Sequence, residues 1–450
     1  MRILLVYPTK LGDDGKPVKY KKAFLPPLSL AIASGLTPSY HEVMVVNDLA
    51  EEIDYSIHYD LVGITSMTSQ IERAYQIAHR FRSKGARVIM GGIHATILPQ
   101  EVKQHADSVI IGEIEDIWEE ILCDFENNNY KELYQGPSFP DLQKLVIPRF
   151  DSFNMKIYPK PIGYRLPIMP IFTTRGCPYA CDFCSVSKYF GRTYRVKPIA
   201  NVLKEIDAIS AQYYFFVDDN IAGNIDYSRE LFKALIPKKI RWLSQISTTV
   251  LKNPDLIDLA AKAGCDCLLM GIESINKESL QSIHKGFNKP EQYGELFARL
   301  RKAGIIPYAS IIFGFDHDTL EQFRYTLEFL MKHKVGLATF TILTPLPGTK
   351  LFERLKDEGR LLHQNWSMYD LNHIVHQPKN LTVKELYDSF WKTFQEFYSL
   401  KNITKRIFYN LTISSKPLMG FFEDLFYQLF YRKVVNTYEH PFSGGFGRLN

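Results

Sequence analysis

Cysteine is scarce in this chain. There are six in 450 residues, and three of them are crowded at Cys177, Cys181 and Cys184. So few thiols, half of them clustered, exclude the disulfide framework of a small secreted protein and fit a reducing cytosol. Long apolar runs are absent too: none reaches the roughly 18 residues a bilayer span requires. The apolar start MRILLVY breaks at Pro8 without a small-residue cleavage site, so it reads as a first strand and not a signal peptide. Charge of either sign is in no great excess. Lys and Arg number 54 against 49 Asp and Glu, and a net +5 is too mild to imply nucleic acid. What is present is a globular composition, 46% hydrophobic and 23% charged. The length is too great for one core and implies two or three domains.

The clustered cysteines lie in TTRGCPYACDFCSVS. One short loop there supplies three of the four thiolates a cubane iron-sulfur cluster takes, leaving one iron open. Zinc is the alternative, but it wants four Cys or His ligands, and no His occurs between Arg175 and Tyr214. Cys265 and Cys267 fall on alternate positions of a predicted strand and read as ordinary buried cysteines. Cys123 stands alone. The spacing CxxxCxxC, with Phe183 before the last cysteine and an apolar strand at 168–173, resembles the radical S-adenosylmethionine superfamily. There the cofactor's methionyl amine and carboxylate occupy the open iron.

Apolar, β-branched runs at 2–7, 42–46, 61–65, 87–90 and 108–111 alternate with helical stretches, predicting a five-stranded, Rossmann-like doubly wound sheet over residues 1–125. Ligands of such sheets sit at the carboxyl ends of the strands. Those ends carry Pro8 and Thr9, then Thr65, Ser66, Met67 and Thr68, then Gly91 and Gly92, then Gly112 and Glu113. A dinucleotide domain is the first rival, yet the loop after strand one reads YPTKLGDDG and lacks GxGxxG. GGIHATILPQEV, ADSVIIGEIED and FLPPLSLAIASGL are similar to the cobalamin-binding domain fused ahead of radical S-adenosylmethionine domains. The DxHxxG loop of other cobalamin proteins is missing. The resemblance therefore implies a corrinoid with no protein His on cobalt, with His94 packing against the corrin or its tail.

Residues 126–166 are polar and Pro-rich and read as a linker, with Phe150, Phe153 and Tyr158 as aromatic anchors. Residues 167–360 again alternate strand and helix. Strands at 168–173, 213–217, 242–246, 267–271, 309–313 and 338–342 predict a partial (β/α)6 barrel, with the cysteine loop at the end where barrel active sites collect. The residues closing the other strands should ring it: Asp218, Asp219 and Asn220, Ser247 and Thr248, Glu273 and Ser274, and Thr344. Carboxylates and hydroxyls suit the ammonium, sulfonium and ribose of S-adenosylmethionine. By the resemblance, VDDN and GIES hold that cofactor, with Phe183 and Ser247 beside them. Helix capping is the alternative for Asp218, Asp219 and Asn220. Glu273, an acid ending an apolar strand, calls for a partner. Gly314 and Gly348, in the phrases that look like the superfamily's barrel closure, are read as backbone turns.

Residues 361–450 are rich in aromatics and mostly helical. One stripe holds Tyr387, Phe390, Trp391, Phe394 and Phe397; another holds Leu418, Phe421, Phe422, Leu425, Phe426, Leu429 and Phe430. These stripes either pack on the barrel or line a pocket for a large apolar substrate, with peripheral membrane contact the most that Lys401, Lys405, Arg406, Arg432 and Lys433 would add. NWSMYDLNHIVHQPKNLTVKEL resembles the portion that closes the active site in cobalamin-dependent radical enzymes acting on lipids and pigments.

The resemblance implies a cytoplasmic enzyme with a 4Fe-4S cluster, S-adenosylmethionine and cobalamin. It would methylate an unactivated carbon of a hydrophobic, lipid-like or pigment-like small molecule through a 5′-deoxyadenosyl radical and methylcobalamin, fed by an electron donor such as flavodoxin or ferredoxin. Three alternatives stand beside it. One is ring formation or contraction with the same cofactors. A second is the activity of the methylthiolating relatives that modify transfer RNA, disfavoured because they bind a second cluster through three cysteines in an N-terminal domain and this one holds only Cys123. The third is a sensor without turnover.

Overall fold

The computed structural model describes residues 1–137, 139–161, 163–411, 417–441 and 445–449, without the side chains of 409–424. In chain order the strands are β1 (Arg2–Tyr7), β2 (Lys19–Ala23), β3 (Glu42–Asn47), β4 (Leu61–Thr65), β5 (Arg87–Gly91), β6 (Ser108–Ile111), β7 (Leu133–Gln135) and β8 (Met169–Ile171). They continue with β9 (Thr174–Arg175), β10 (Arg195–Val196), β11 (Tyr213–Phe216), β12 (Arg241–Ile246), β13 (Cys265–Glu273), β14 (Ile306–Phe313), β15 (Leu337–Ile342) and β16 (Gly445–Leu449).

The first sheet is parallel with order β3-β1-β4-β5-β6-β7. Its order reverses at β1, so a ligand crevice opens outside the carboxyl ends of β1 and β4. Apolar cores cover both faces, which is why these strands read as nearly continuous β-branched runs. The sheet has six strands, not five, because β7 lies inside the stretch expected to be linker. The rest of that stretch is anchored: Phe153 and Tyr158 are buried, and Asn47 Nδ2 donates to the Tyr158 hydroxyl at 3.1 Å.

The second sheet runs β15-β14-β13-β12-β11-β8, all parallel and in sequence order. It is the expected six-stranded partial barrel. Along β12 burial alternates, with Trp242 and Ile246 under the helices and Leu243 turned to the lumen. The expected strand 168–173 is split: β8 ends at Ile171 and the chain resumes as β9, which pairs antiparallel with β10. The cysteine loop hangs from that two-stranded hairpin.

The C-terminal region returns to both sheets. Trp366, Tyr369 and Val375 join the core of the first domain. Trp366 Nε1 donates to Glu101 at 3.0 Å, and the Tyr75 hydroxyl donates to the same oxygen at 2.8 Å. Asp316, in the turn after β14, accepts from Arg354 and Arg360 at 2.7 Å each. Phe390, Trp391, Phe394 and Phe397 are buried in the barrel core, whereas Tyr387 is exposed. Phe426 and Leu429 are exposed and Phe430 packs on the core; Leu418, Phe421 and Phe422 lie outside the described side chains. The chain ends as β16, antiparallel to β2. Among the described residues no helix is long and apolar enough to cross a membrane.

Two measurements check this arrangement. Trp366→Ala should cost about 3–5 kcal/mol and expose residues 361–376 to protease. Burial alone would raise the Asp316 carboxyl, but Arg360 and Arg354 outweigh it and hold it down to about 2 from 3.8. Its stabilisation is therefore complete above about pH 4 and lost as the pH falls toward 2. In Asp316→Asn the dependence of melting temperature on pH over that interval should flatten.

Candidate active site

A cavity of about 270 Å³ lies between the carboxyl edge of the first sheet and the start of the barrel. Thr65, Gly91, Gly92, Gly112 and Glu113 contribute from the first domain, and Phe172, Thr174, Arg175, Val217 and Asp219 face them from the second. Glycine is required at 92, where φ is 95° and a Cβ would lie 2.7 Å from both the backbone N and O of Ser66. The β5 turn therefore packs directly against the loop after β4 with no side chain between them. Leu28, Ser29 and Ile32, from the helix of FLPPLSLAI, line the same cavity.

The two walls are joined by charge. Arg175 pairs with Glu113 and Glu115, and Arg195 Nη2 pairs with Glu113 Oε1 at 2.5 Å. These are buried groups: the Glu113 side chain is 3% exposed and that of Arg175 9%. Tyr189 adds a hydrogen bond from its hydroxyl to the Gly112 carbonyl at 3.2 Å. Glu113 is thus occupied by two guanidinium groups on the cavity wall.

The other residues expected to bind a corrinoid are distributed differently. The Pro8 carbonyl accepts from Gln70 Nε2 at 2.8 Å, and Ser66 is buried. Met67 is exposed. His94 is fully buried, with Nδ1 3.3 Å from the Thr68 hydroxyl and Nε2 3.3 Å from Glu101. Protein partners engage both of its nitrogens, and Trp366 packs edge-on against its ring. None of these five lines the cavity.

The three cysteines are free, half-buried thiols on the loop between β9 and β10. Burial pushes each up to about 11, and neighbouring thiols add to the shift. A bound cation would reverse this by favouring thiolate. Among the described residues no three His, Cys, Asp or Glu side chains gather as a single metal ion would need. The donor set, three thiolates on one loop, suits a cluster.

Around the loop the strand ends divide their work. Asp218 is fully buried, and its Oδ1 accepts from the amides and hydroxyls of Thr173 and Thr174. It latches β11 to the start of the cysteine hairpin. Asp219 faces the cavity, and burial, with Asp218 adding, pushes its carboxyl up to about 6. Asn220 Oδ1 accepts from the Ser247 amide at 3.0 Å. Ser247 caps the turn that follows, and Thr248 donates to Asn288 at 2.6 Å. Ser274 Oγ accepts from the Asn276 amide at 3.0 Å, while Thr344 bonds back to the Ile342 carbonyl. Capping and bracing therefore account for most of this ring.

Glu273 is the exception. Its φ is 60°, a strained value for a residue with a side chain, and its carboxylate meets Lys285 Nζ at 2.5 Å. Burial would lower the Lys285 ammonium, but Glu273 and Cys181 outweigh it and hold it up. Lys285 Nζ also stands 5.8 Å from the Phe183 ring. A Cβ at Gly271 would run into Glu273 and lie 2.7 Å from Lys285 Nζ, so a larger residue there would push this ion pair aside. Lys285 escaped sequence reading, as did Arg175, Arg195 and Tyr189. The acid that ends β13 was the one signal that called for such a cation.

Comparison with known proteins bears on this geometry. The profile of the Radical SAM superfamily matches residues 171–330, that of the B12 binding domain matches 31–122, and a domain of unknown function matches 349–421. The chain is 33% identical to bacteriochlorophyllide d C-12(1)-methyltransferase of Chlorobaculum tepidum, over 85% of this chain and 84% of that one. It is 30% identical to bacteriochlorophyllide d C-8(2)-methyltransferase of the same organism, over 85% and 88%. Among solved structures it is similar in fold to the radical S-adenosylmethionine methyltransferase TsrM of Kitasatospora setae, with a TM-score of 0.62, 19% identity and coverage of 79% and 78%.

Removing the Glu113 charge should be costly, because it leaves Arg175 and Arg195 less compensated in a buried site. We expect Glu113→Gln to lose about 3–5 kcal/mol in chemical denaturation and to bind hydroxocobalamin more weakly. Glu113→Asp should retain part of both.

Proposed function

This chain belongs to the cobalamin-dependent radical S-adenosylmethionine methyltransferases, and from that premise we propose that it methylates an unactivated carbon of an apolar, pigment-like small molecule. Its cofactors are an iron-sulfur cluster, S-adenosylmethionine and cobalamin. When bound, the cluster and S-adenosylmethionine supply radical chemistry and the corrinoid supplies methyl transfer, while the protein orients and shields them.

In this reading Cys177, Cys181 and Cys184 hold the cluster, and Asp219 and Glu273 address the polar end of S-adenosylmethionine. Thr65, Gly91, Gly92 and Gly112 seat the corrinoid. The observation that carries the reading is the cavity between the sheets, with the glycine-lined edge of the B12 domain on one wall and Asp219 and Arg175 on the other. Such placement brings two reacting groups to one substrate carbon and keeps water from it. Lys285 neutralises Glu273, so a buried carboxylate is maintained there without unpaired charge. The named activity of the Chlorobaculum relatives supports a tetrapyrrole-like substrate. An electron donor of flavodoxin or ferredoxin type, and a cytoplasmic setting in keeping with six free cysteines, complete the proposal.

Anaerobically reconstituted protein should hold both iron and corrin. Cys177→Ala, Cys181→Ala and Cys184→Ala should lose the iron and keep the corrin bands. With a tetrapyrrole acid as acceptor, product mass should rise by one methylene unit. A product lighter by two hydrogens would instead assign ring formation.

A further inference from the structure

The lumen of the barrel stays open at the end away from the cysteine loop. A cavity of about 2280 Å³ is walled by Tyr213, Arg241, Cys265, Ile306 and Leu337, the first residues of β11 to β15. Higher in the lumen its wall is apolar, with Phe215, Leu243 and Leu269. The returning C-terminus closes the side with Phe430, Tyr431 and Phe446. Drug-sized ligands occupy roughly 300–1,000 Å³, so this space suits a large ring system or a long chain.

Its charge is as distinctive as its size. Ten Lys or Arg side chains line it against four Asp or Glu, a surplus of six in a chain whose total is +5. Lys21, Lys160, Lys239, Lys262 and Lys433 are exposed on this wall, and none makes an ion pair among the described residues. Like charges gathered around one apolar mouth repel each other and focus an attractive field on an anion. The inner end points toward the reaction site. Leu269 and Gly271 share one face of β13, about 7 Å apart at the usual rise of a strand, and past the irregular step that follows Gly271 the Glu273 carboxylate lies against it.

We propose that this cavity binds a large apolar acid, with its carboxylate or phosphate at the lysines and its apolar body in the lumen. Its identification with the substrate's far end rests on the methylation reading; the binding site does not.

The test uses cluster- and corrin-loaded protein without turnover, titrated with cis-parinaric acid, a fluorescent long-chain carboxylate, and with its methyl ester. The acid should bind saturably, one per chain. Lys239→Glu/Lys262→Glu should weaken the acid by at least about tenfold, as the loss of charge-assisted contacts implies, and leave the ester within about twofold on the same scale. Leu269→Trp, which fills the lumen, should abolish binding of both. Iron and corrin content should stay unchanged in each variant. An acid affinity indifferent to the charge reversal, or surviving Leu269→Trp, overturns the proposal. So does binding that requires anionic vesicles, which would assign the lysines to a membrane surface. Failure of methylation would leave these outcomes untouched, whereas lost parinarate binding beside intact product formation would sink the cavity alone.

Discussion

Glu113 stands between two arginines that should not tolerate each other. Arg175 and Arg195 are direct cross-strand partners in the β9–β10 hairpin, and like charges set opposite each other on adjacent strands are destabilising. The hairpin is only two residues long on each side, and the Asp218 latch ties its start to the barrel. Glu113, from the other domain, accepts from both guanidinium groups, and Glu115 takes the remaining arm of Arg175. The cysteine loop hangs from that hairpin. Its placement over the interdomain cavity therefore depends on a buried ion cluster whose acids belong to the B12 domain and whose bases belong to the barrel. Buried clusters of this kind gain little over apolar packing, yet breaking one costs a great deal. Here the return is registry: the loop forms where the two domains meet.

The strand ends around the loop follow the same division between bracing and access. VDDN uses its first aspartate as a latch, saturated by Thr173 and Thr174, and leaves the second at the cavity wall. GIES spends its serine on a turn and its glutamate on Lys285. In each phrase one side chain is taken up in bracing the fold, Asp218 in the first and Ser274 in the second. The C-terminal region then reaches past the barrel, with Trp366 on Glu101 of the first domain and β16 on β2. Domains clasped at both ends of the chain keep the distance between their edges fixed.

Much of this was legible from pattern. All six barrel strands and five strands of the first sheet appear as apolar runs, because buried parallel strands show themselves through burial alone. β7 escaped because three residues in a polar, Pro-rich stretch carry no period, and β2 and β16 because their partners lie at opposite ends of the chain. The cysteine loop announced itself by spacing. The Arg175–Glu113 contact joins residues 62 positions apart, and Lys285 comes from a turn with no motif, so only the folded arrangement reveals them. His94 illustrates the opposite case. Its position after a Gly-Gly turn reads as ligand-facing, and in the fold Thr68, on the turn after β4, and Glu101, on the short helix that follows, meet its two nitrogens.

The central claim is that the clamp holds the corrinoid edge and the cysteine loop against a common cavity. Electron paramagnetic resonance of protein carrying cob(II)alamin and the reduced cluster tests it most directly. The account predicts that reducing the cluster speeds the relaxation of the cobalt signal, as two paramagnets across one small cavity require, and that the effect fades in Glu113→Ala samples retaining both groups. A cobalt signal whose relaxation is indifferent to cluster reduction in the unaltered protein would contradict it.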